Sequence, residues 1–271
     1  MELTSPATLM ARVSHAARHA AMQHSTKLTV LALTALAALC FSGARYVASS
    51  RARAKPVAAR PTAASAAPSA PLLELRVPHL KASIVLDGDM DDVGWTGSVA
   101  RTGGFITPNG MTAKPYSEAR LVWGDGHLYL ALYAADEDVR AEKRAPDDPV
   151  WQDDSFHLVF RDDSGGVERA LDLSALGVVS DARRVGASAY DYAWQSGVHV
   201  SREVDGTLND GSDDDEEWAL EVAMPLESLG LRGERGERIG FAVRRCDTPH
   251  RSARVCASWG EGDARGTLVL D

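Results

Sequence analysis

From Leu72 to the C-terminus the sequence predicts an all-β fold, an antiparallel β-sandwich. Three observations carry this reading. Apolar residues recur at every second position, as on a pleated surface with one buried face. Turn-forming clusters interrupt them every eight to fifteen residues. No apolar repeat of helical period as long as ten residues occurs in this part of the chain.

What precedes Leu72 has a different character. Residues 1–44 read as a signal peptide or N-terminal membrane anchor. Lys27 stands ahead of Leu28–Phe41, an uncharged apolar run too short for the roughly 20 residues of a spanning helix. Ser42, Gly43 and Ala44 then offer the small residues that a signal peptidase requires. Cleavage after Ala44 and retention as an uncleaved anchor are both open. Residues 45–71 are rich in Ala, Pro, Arg and Ser with almost nothing to bury, the composition of a disordered linker. The expected location is therefore extracytoplasmic, with any membrane association confined to the N-terminal segment.

Within the folded domain, residues 72–271, the elements follow in order. Ile84–Leu86 reads as a short strand ending at Asp87-Gly88, and Asp89 as the cap of a single helical turn reaching Trp95. Ala119–Trp123 and Leu128–Ala134 flank Gly124-Asp125-Gly126, a hairpin turn. Asp154–Phe160 is the central strand, because Phe156, Leu158 and Phe160 alternate with Ser155, His157 and Val159. Glu168–Leu173 follows after a turn. Tyr190, Tyr192 and Trp194 alternate strictly and are assigned to one face of a strand. Trp218–Met224 alternates again. Pro225–Leu229 reads as a helical turn stopped by Gly230. Arg238–Cys246 and Arg254–Trp259 form a late hairpin, and Thr267–Leu270 closes the sheet. Cys246 and Cys256 sit on the two arms of that hairpin. In an exported protein they suit a cross-strand disulfide, with two reduced buried thiols as the alternative.

Charge narrows the function. The chain holds 29 basic and 38 acidic residues, of which 8 and 1 lie before Leu72. The domain therefore carries 21 minus 37, or −16. Such acidity excludes nucleic acid as the expected partner and disfavours an anionic membrane surface. Acidic clusters suit Ca²⁺, a hard cation with oxygen ligands. Asp87, Asp89 and Asp91 are the candidate ligands, although solvated surface charge is the simpler reading of them. No nucleophile elbow, His-Glu-x-x-His or phosphate loop occurs, so no catalytic residues are assigned.

The segment from Pro149 to Phe160 carries the clearest binding chemistry. Trp151 stands on a loop just before a strand, with carboxylates beside it. A large aromatic on a stiff edge suits a ligand with one apolar face and many hydroxyls, such as a sugar ring. Alternatively Trp151 plugs the end of the core. Asp154 and His157 are candidate neighbours, on opposite strand faces. Tyr190, Tyr192 and Trp194 offer a second aromatic platform, or simple cross-strand packing. Trp95, Trp123 and Trp218 read as core.

Several segments also line up with a known family. Val85-Leu-Asp-Gly-Asp-Met-Asp-Asp-Val-Gly-Trp95 resembles the opening of carbohydrate-binding module family 9. Ala119–Ala131 with Ala135-Asp136 is similar to its second hairpin. Trp151-Gln-Asp-Asp-Ser-Phe-His-Leu-Val-Phe160 resembles that family's Trp-x-x-Asp-Ser-x-Glu-x-x-Phe, and Trp218–Leu229 its Trp-x-x-Glu-x-Ala-x-Pro-x-x-x-Leu. Ile239-Gly240-Phe241, Asp247 and Ser258-Trp259 resemble the closing part. The resemblance spans residues 80–271 in order. It implies a jelly-roll-like sandwich that binds sugar, usually as an accessory to a secreted glycoside hydrolase.

The departures lie at the sugar clamp. Two Trp residues hold the sugar in the family, and Trp151 matches the first. The second belongs to a loop before the last strand, and Glu261–Arg265 holds no Trp. Trp259, the Ser-Trp residue, is the remaining aromatic candidate there. His157 replaces an acidic residue, and Asp172 and Ser174 stand where the family has Arg and Asn. The expectation is a non-catalytic module that recognises an oligo- or polysaccharide by aromatic stacking. An enzyme or envelope protein on another chain is a further expected partner. The alternative is a sandwich with a degenerate sugar site that docks an envelope protein.

Overall fold

Alternating sequence becomes two facing sheets because each strand has one apolar edge to hide. A computed structural model of the chain describes residues 73–163, 165–249, 253–261 and 266–271. The export or anchor segment over 1–44 and the linker over 45–71 lie outside the described residues. The strands are β1 (Leu73–Val77), β2 (Ala100–Arg101), β3 (Ser117–Gly124), β4 (His127–Ala135), β5 (Ser155–Arg161) and β6 (Val167–Ser174). They continue as β7 (Val179–Val185), β8 (His199–Asp205), β9 (Glu217–Pro225), β10 (Arg238–Asp247), β11 (Val255–Trp259) and β12 (Gly266–Leu270). Among the described residues one short α-helix, α1 (Val93–Thr96), joins them.

The larger sheet has the order β1-β12-β10-β5-β6-β7, with β11 also paired to β10. The smaller has the order β2-β3-β4-β9-β8. All strand pairs are antiparallel except β1 with β12. The result is the expected jelly-roll-like sandwich. β10 is the organising strand of the larger sheet. It pairs with β5 along one edge, and along the other with β12 and then β11.

The core fills the space between the sheets. Phe156, Leu158 and Phe160 of β5 meet Leu128, Leu130 and Leu132 of β4 and Trp218, Leu220 and Val222 of β9. Phe156 is fully buried, edge-on to Phe105 at 6.2 Å and tilted on Trp218 at 4.9 Å. Burying a ring of this size contributes about 1.5–3 kcal/mol. Trp95 and Trp218 are completely enclosed and Trp123 nearly so, as core positions should be. Trp95 belongs to a second cluster, with Val122 and Ala131 on the outer face of the smaller sheet. Its indole N–H donates to buried Glu221 at 2.7 Å, so the polar handle is satisfied.

Turn chemistry works where it was legible. Asp125 and Gly126 have φ of 49° and 77°, the pair of positive angles that lets a two-residue turn follow the twist of β3 and β4. Gly230 ends the 3-10 turn Glu227–Leu229 at φ 77°.

Four expectations differ. Ile84–Leu86 is not a strand: Ile84 packs against the Trp95 cluster instead, and Gly88 lies hard against the Arg202 backbone, where a Cβ would meet the carbonyl at 2.3 Å. Asp92, not Asp89, precedes α1, and neither caps it. The Asp92 carboxylate accepts from the Val85 N–H, and the Asp87 carboxylate accepts the N–H of Asp89. Pro225 ends β9 rather than opening a helical turn. The residues around Tyr190, Tyr192 and Trp194 form no strand. Only Asp191 bridges back to Arg183, so their alternation reflects a loop folded over the sheet edge.

Candidate functional site

The site forms where two rows of outward-facing side chains cross the larger sheet. One row runs Asp172 on β6, His157 on β5, Arg244 on β10 and Ser258 on β11, each the direct cross-strand partner of the next. The neighbouring row runs Ser174, Ser155, Cys246 and Cys256. Inward-facing Phe156, Leu158 and Val243 belong to the core, so period two turns both rows to the opposite face, where Asp172, His157, Arg244 and Ser258 are partly exposed while Ser155 and Ser174 are covered. Cys246 and Cys256 form the expected disulfide.

Trp151 stands at the rim above these rows. It occupies the 3-10 turn Val150–Gln152, anchored by buried Val150, and its own side chain is 46% exposed. Beneath it lies an open cavity of about 380 Å³, lined by Trp151, His157, Asp172, Tyr192 and Arg244 with the disulfide as part of its floor.

The rim is held by buried charge. Asp153 accepts the backbone N–H groups of Glu142 and Lys143 at 3.0 and 2.9 Å. Asp154, with no exposed surface, accepts those of Arg140 at 2.7 Å and Thr248 at 2.8 Å. Arg254 completes the brace. Its guanidinium donates to the carbonyls of Trp151, Gln152 and Asp153 at 2.9, 3.1 and 2.7 Å, and to the Thr248 hydroxyl at 3.1 Å. One side chain thus ties the Trp151 turn to the β10–β11 hairpin. Burial lowers the Arg254 pKa, against nearby Asp154, Asp247 and Asp153.

At the cavity floor, His157 Nδ1 lies 2.8 Å from Asp172 Oδ1. The Asp172 carboxylate can only accept, so Nδ1 carries the proton. Arg244 lies beside them and contacts Glu261 at 3.4 Å. A second cavity, of about 790 Å³, adjoins the first and shares Arg244 and Cys256 with it. Ile106, Thr107, Pro108 and Trp259 form much of its wall.

The sequence-predicted residues therefore separate. Trp151, His157 and Tyr192 come together at the first cavity, and Trp259 borders the second. Asp154 lies behind the rim and supports it through backbone hydrogen bonds. Tyr190 is held away from the cavity, its hydroxyl on Glu168 and its ring under Arg184 at 5.3 Å. Trp194 is half-buried against the core. Sequence reading missed Arg244, Arg254 and Asp153. The hairpin register implied by Cys246 and Cys256 would have placed Arg244 opposite Ser258, whereas its place beside His157 comes from the pairing of β5 with β10.

Asp87, Asp89 and Asp91 are exposed. Among the described residues, the one group of three carboxylates with oxygens within 4.8 Å of one another is Asp136, Asp154 and Asp247. Burial, and then Asp136, raise the Asp154 pKa to about 7; burial raises that of Asp247 to about 6. This group does not suit a metal ion. Arg245 already reaches Asp136 at 2.7 Å and Asp247 at 3.6 Å, and both Asp154 oxygens are spent on backbone N–H groups. It is an internal ion network closing the end of the sandwich.

No protein-family model matches the sequence, and no curated protein is detectably similar to it. Solved structures are similar in fold. A candidate carbohydrate-binding protein from Bacteroides uniformis is 13% identical, with a TM-score of 0.57 over 73% of this chain and 99% of its own. A family 9 carbohydrate-binding module from Caldicellulosiruptor kristjanssonii, in complex with cellotriose, is 16% identical, with a TM-score of 0.52 over 73% of this chain and 93% of its own. The same organism's family 9 module in complex with glucose gives 16% identity and a TM-score of 0.51, over 72% and 95%. The domain thus has the fold of the family 9 carbohydrate-binding modules.

Proposed function

We propose that the domain is a non-catalytic carbohydrate-binding module that stacks a sugar ring on Trp151. The observation that carries this reading is a half-exposed indole on a braced rim, directly over an open cavity floored by polar side chains. Such a site offers one apolar face for a pyranose ring, with His157, Asp172, Tyr192 and Arg244 for its hydroxyls. The saccharide complexes of the fold's solved neighbours support the same ligand class. Work outside the cytoplasm, tethered through the N-terminal segments, belongs to this proposal, and the Cys246–Cys256 bridge supports an oxidising compartment.

Calorimetry against a panel of soluble oligosaccharides tests it. At least one sugar should bind, and Trp151→Ala should weaken that binding tenfold or more, about 1.4 kcal/mol, without lowering the melting temperature. Absence of heat with every sugar, or binding indifferent to Trp151→Ala, would overturn the reading.

A further inference from the structure

The two cavities are one cleft. They share Arg244 and Cys256, and Ser258, the last member of the Asp172–His157–Arg244 row, borders the second. The row crosses four adjacent strands, which at ~4.8 Å per strand spacing is long enough for more than one pyranose ring. Trp151 stands over one end. Ile106 and Trp259 line the broader, more apolar other end, and Ile106 is itself 43% exposed.

Arg244 occupies the junction. The acceptors near it are already engaged: Asp172 holds His157, and Glu261 contacts Arg244 loosely at 3.4 Å, with both side chains about a third exposed. The Arg244 Nε is buried and makes no hydrogen bond among the described residues. Arg254, by contrast, spends its guanidinium on the rim. With Nε enclosed, what the junction offers a ligand is the two terminal nitrogens of Arg244, held only loosely by Glu261, and a pair of N–H donors of this kind matches a carboxylate. This is a local feature and not a basic surface, because the domain carries −16 from 21 basic and 37 acidic residues. At physiological ionic strength charges beyond about 8 Å are largely screened, so selection rests on short contacts inside the cleft.

Resting on the saccharide reading above, we propose that the cleft selects acidic oligosaccharides. A hexuronic acid unit places its carboxylate on Arg244, while a neighbouring ring stacks on Trp151 and the next lies over Ile106 and Trp259.

The test is calorimetry at physiological salt with galacturonate and glucuronate oligomers beside neutral gluco-oligosaccharides of equal length. Acidic oligomers should bind roughly tenfold tighter or more than neutral ones, the usual scale for one charge-assisted contact. Arg244→Gln should remove that preference. Arg244→Lys should recover only part of it, since a point charge lacks the paired donors. Thermal melting of both variants checks that the fold is intact. Equal affinity for neutral and acidic oligomers, or acidic binding unchanged in Arg244→Gln, would overturn the acidic preference and leave stacking on Trp151 standing. No binding of either class would bring down the saccharide reading itself.

Discussion

Arg254 shows how a single side chain can fix a binding surface that it does not form. The Trp151 turn presents three carbonyls, at Trp151, Gln152 and Asp153, that no strand pairs, and the guanidinium takes all three. Because Arg254 lies beside the β10–β11 hairpin, the indole's position depends on that hairpin. Arg254→Met keeps most of the side-chain volume and removes every one of these bonds. It should cost about 0.5–1.5 kcal/mol of stability, the usual net scale of a hydrogen bond, because the Trp151 and Gln152 carbonyls are exposed and water can replace the donor there. It should also weaken saccharide binding, with faster amide exchange confined to residues 150–155. Exchange at wild-type rates with unchanged affinity would show that the turn holds itself. The indole was legible in the sequence as an aromatic on a loop ahead of a strand, although only packing decides between an open rim and a plug at the end of the core. Its brace was not, since Arg254 lies 103 residues away and meets the turn only through backbone oxygens. The same holds for Asp154: the sequence placed a carboxylate near Trp151, but only packing decides that its oxygens face Arg140 and Thr248 and not the cavity.

At the scale of elements, strands with a strong hydrophobic beat were legible and those without it were not. β3, β4, β5, β9 and β10 alternate cleanly, and each lies within a residue or two of its expected bounds. β8 (His199–Asp205) is mostly exposed at the sheet edge, and only Val200 and Val204 turn against the core, with Arg202 between them, too sparse a beat to read. Tyr190, Tyr192 and Trp194 fail in the opposite sense. Period two is necessary for a half-buried strand, but pairing makes the strand, and here one bridge to Arg183 is all the backbone obtains. The β10–β11 hairpin is the element on which the site depends, and its disulfide joins directly opposed residues that are 10 apart in sequence. A closed loop of this size should contribute about 2–3 kcal/mol by restricting the unfolded chain. Replacing both cysteines, Cys246→Ser with Cys256→Ser, should lower the melting temperature by the corresponding amount. It should also blunt saccharide binding, because the hairpin carries both Arg244 and Arg254. Denaturation of the variant and the wild type with and without reductant separates the two effects: reductant should destabilise only the wild type.

The whole molecule responds to pH through groups that no local motif announces. Asp154 and Asp247 sit in the ion network at the end of the sandwich, and burial holds their pKa values near 7 and 6, above the ordinary 3.8. A raised carboxyl pKa means that the folded state binds more protons than the unfolded one between those values. Stability should therefore fall as pH rises from about 4 to about 7, by up to roughly 1.4 kcal/mol per pH unit for each proton so linked. Glu168 works in the other direction. Burial raises it, but the Tyr190 hydroxyl, Arg184 and Arg161 outweigh that effect and hold it at about 2, below its usual 4.5. Its contribution is complete above that usual value and is lost as pH falls toward 2. The two limbs together place the stability maximum near pH 4 to 5, on the acid side of neutrality, as suits a domain that carries −16 from 21 basic and 37 acidic residues. Urea denaturation across that range should trace a dome. Asp154→Asn removes one titrating group while keeping an acceptor for one of the two backbone N–H groups, so its curve should be flatter between pH 4 and 7 and unchanged in slope below pH 4. A wild-type curve that climbs from pH 4 to pH 7 would mean that Arg245 compensates the buried carboxylates fully, and that the network is neutral to folding.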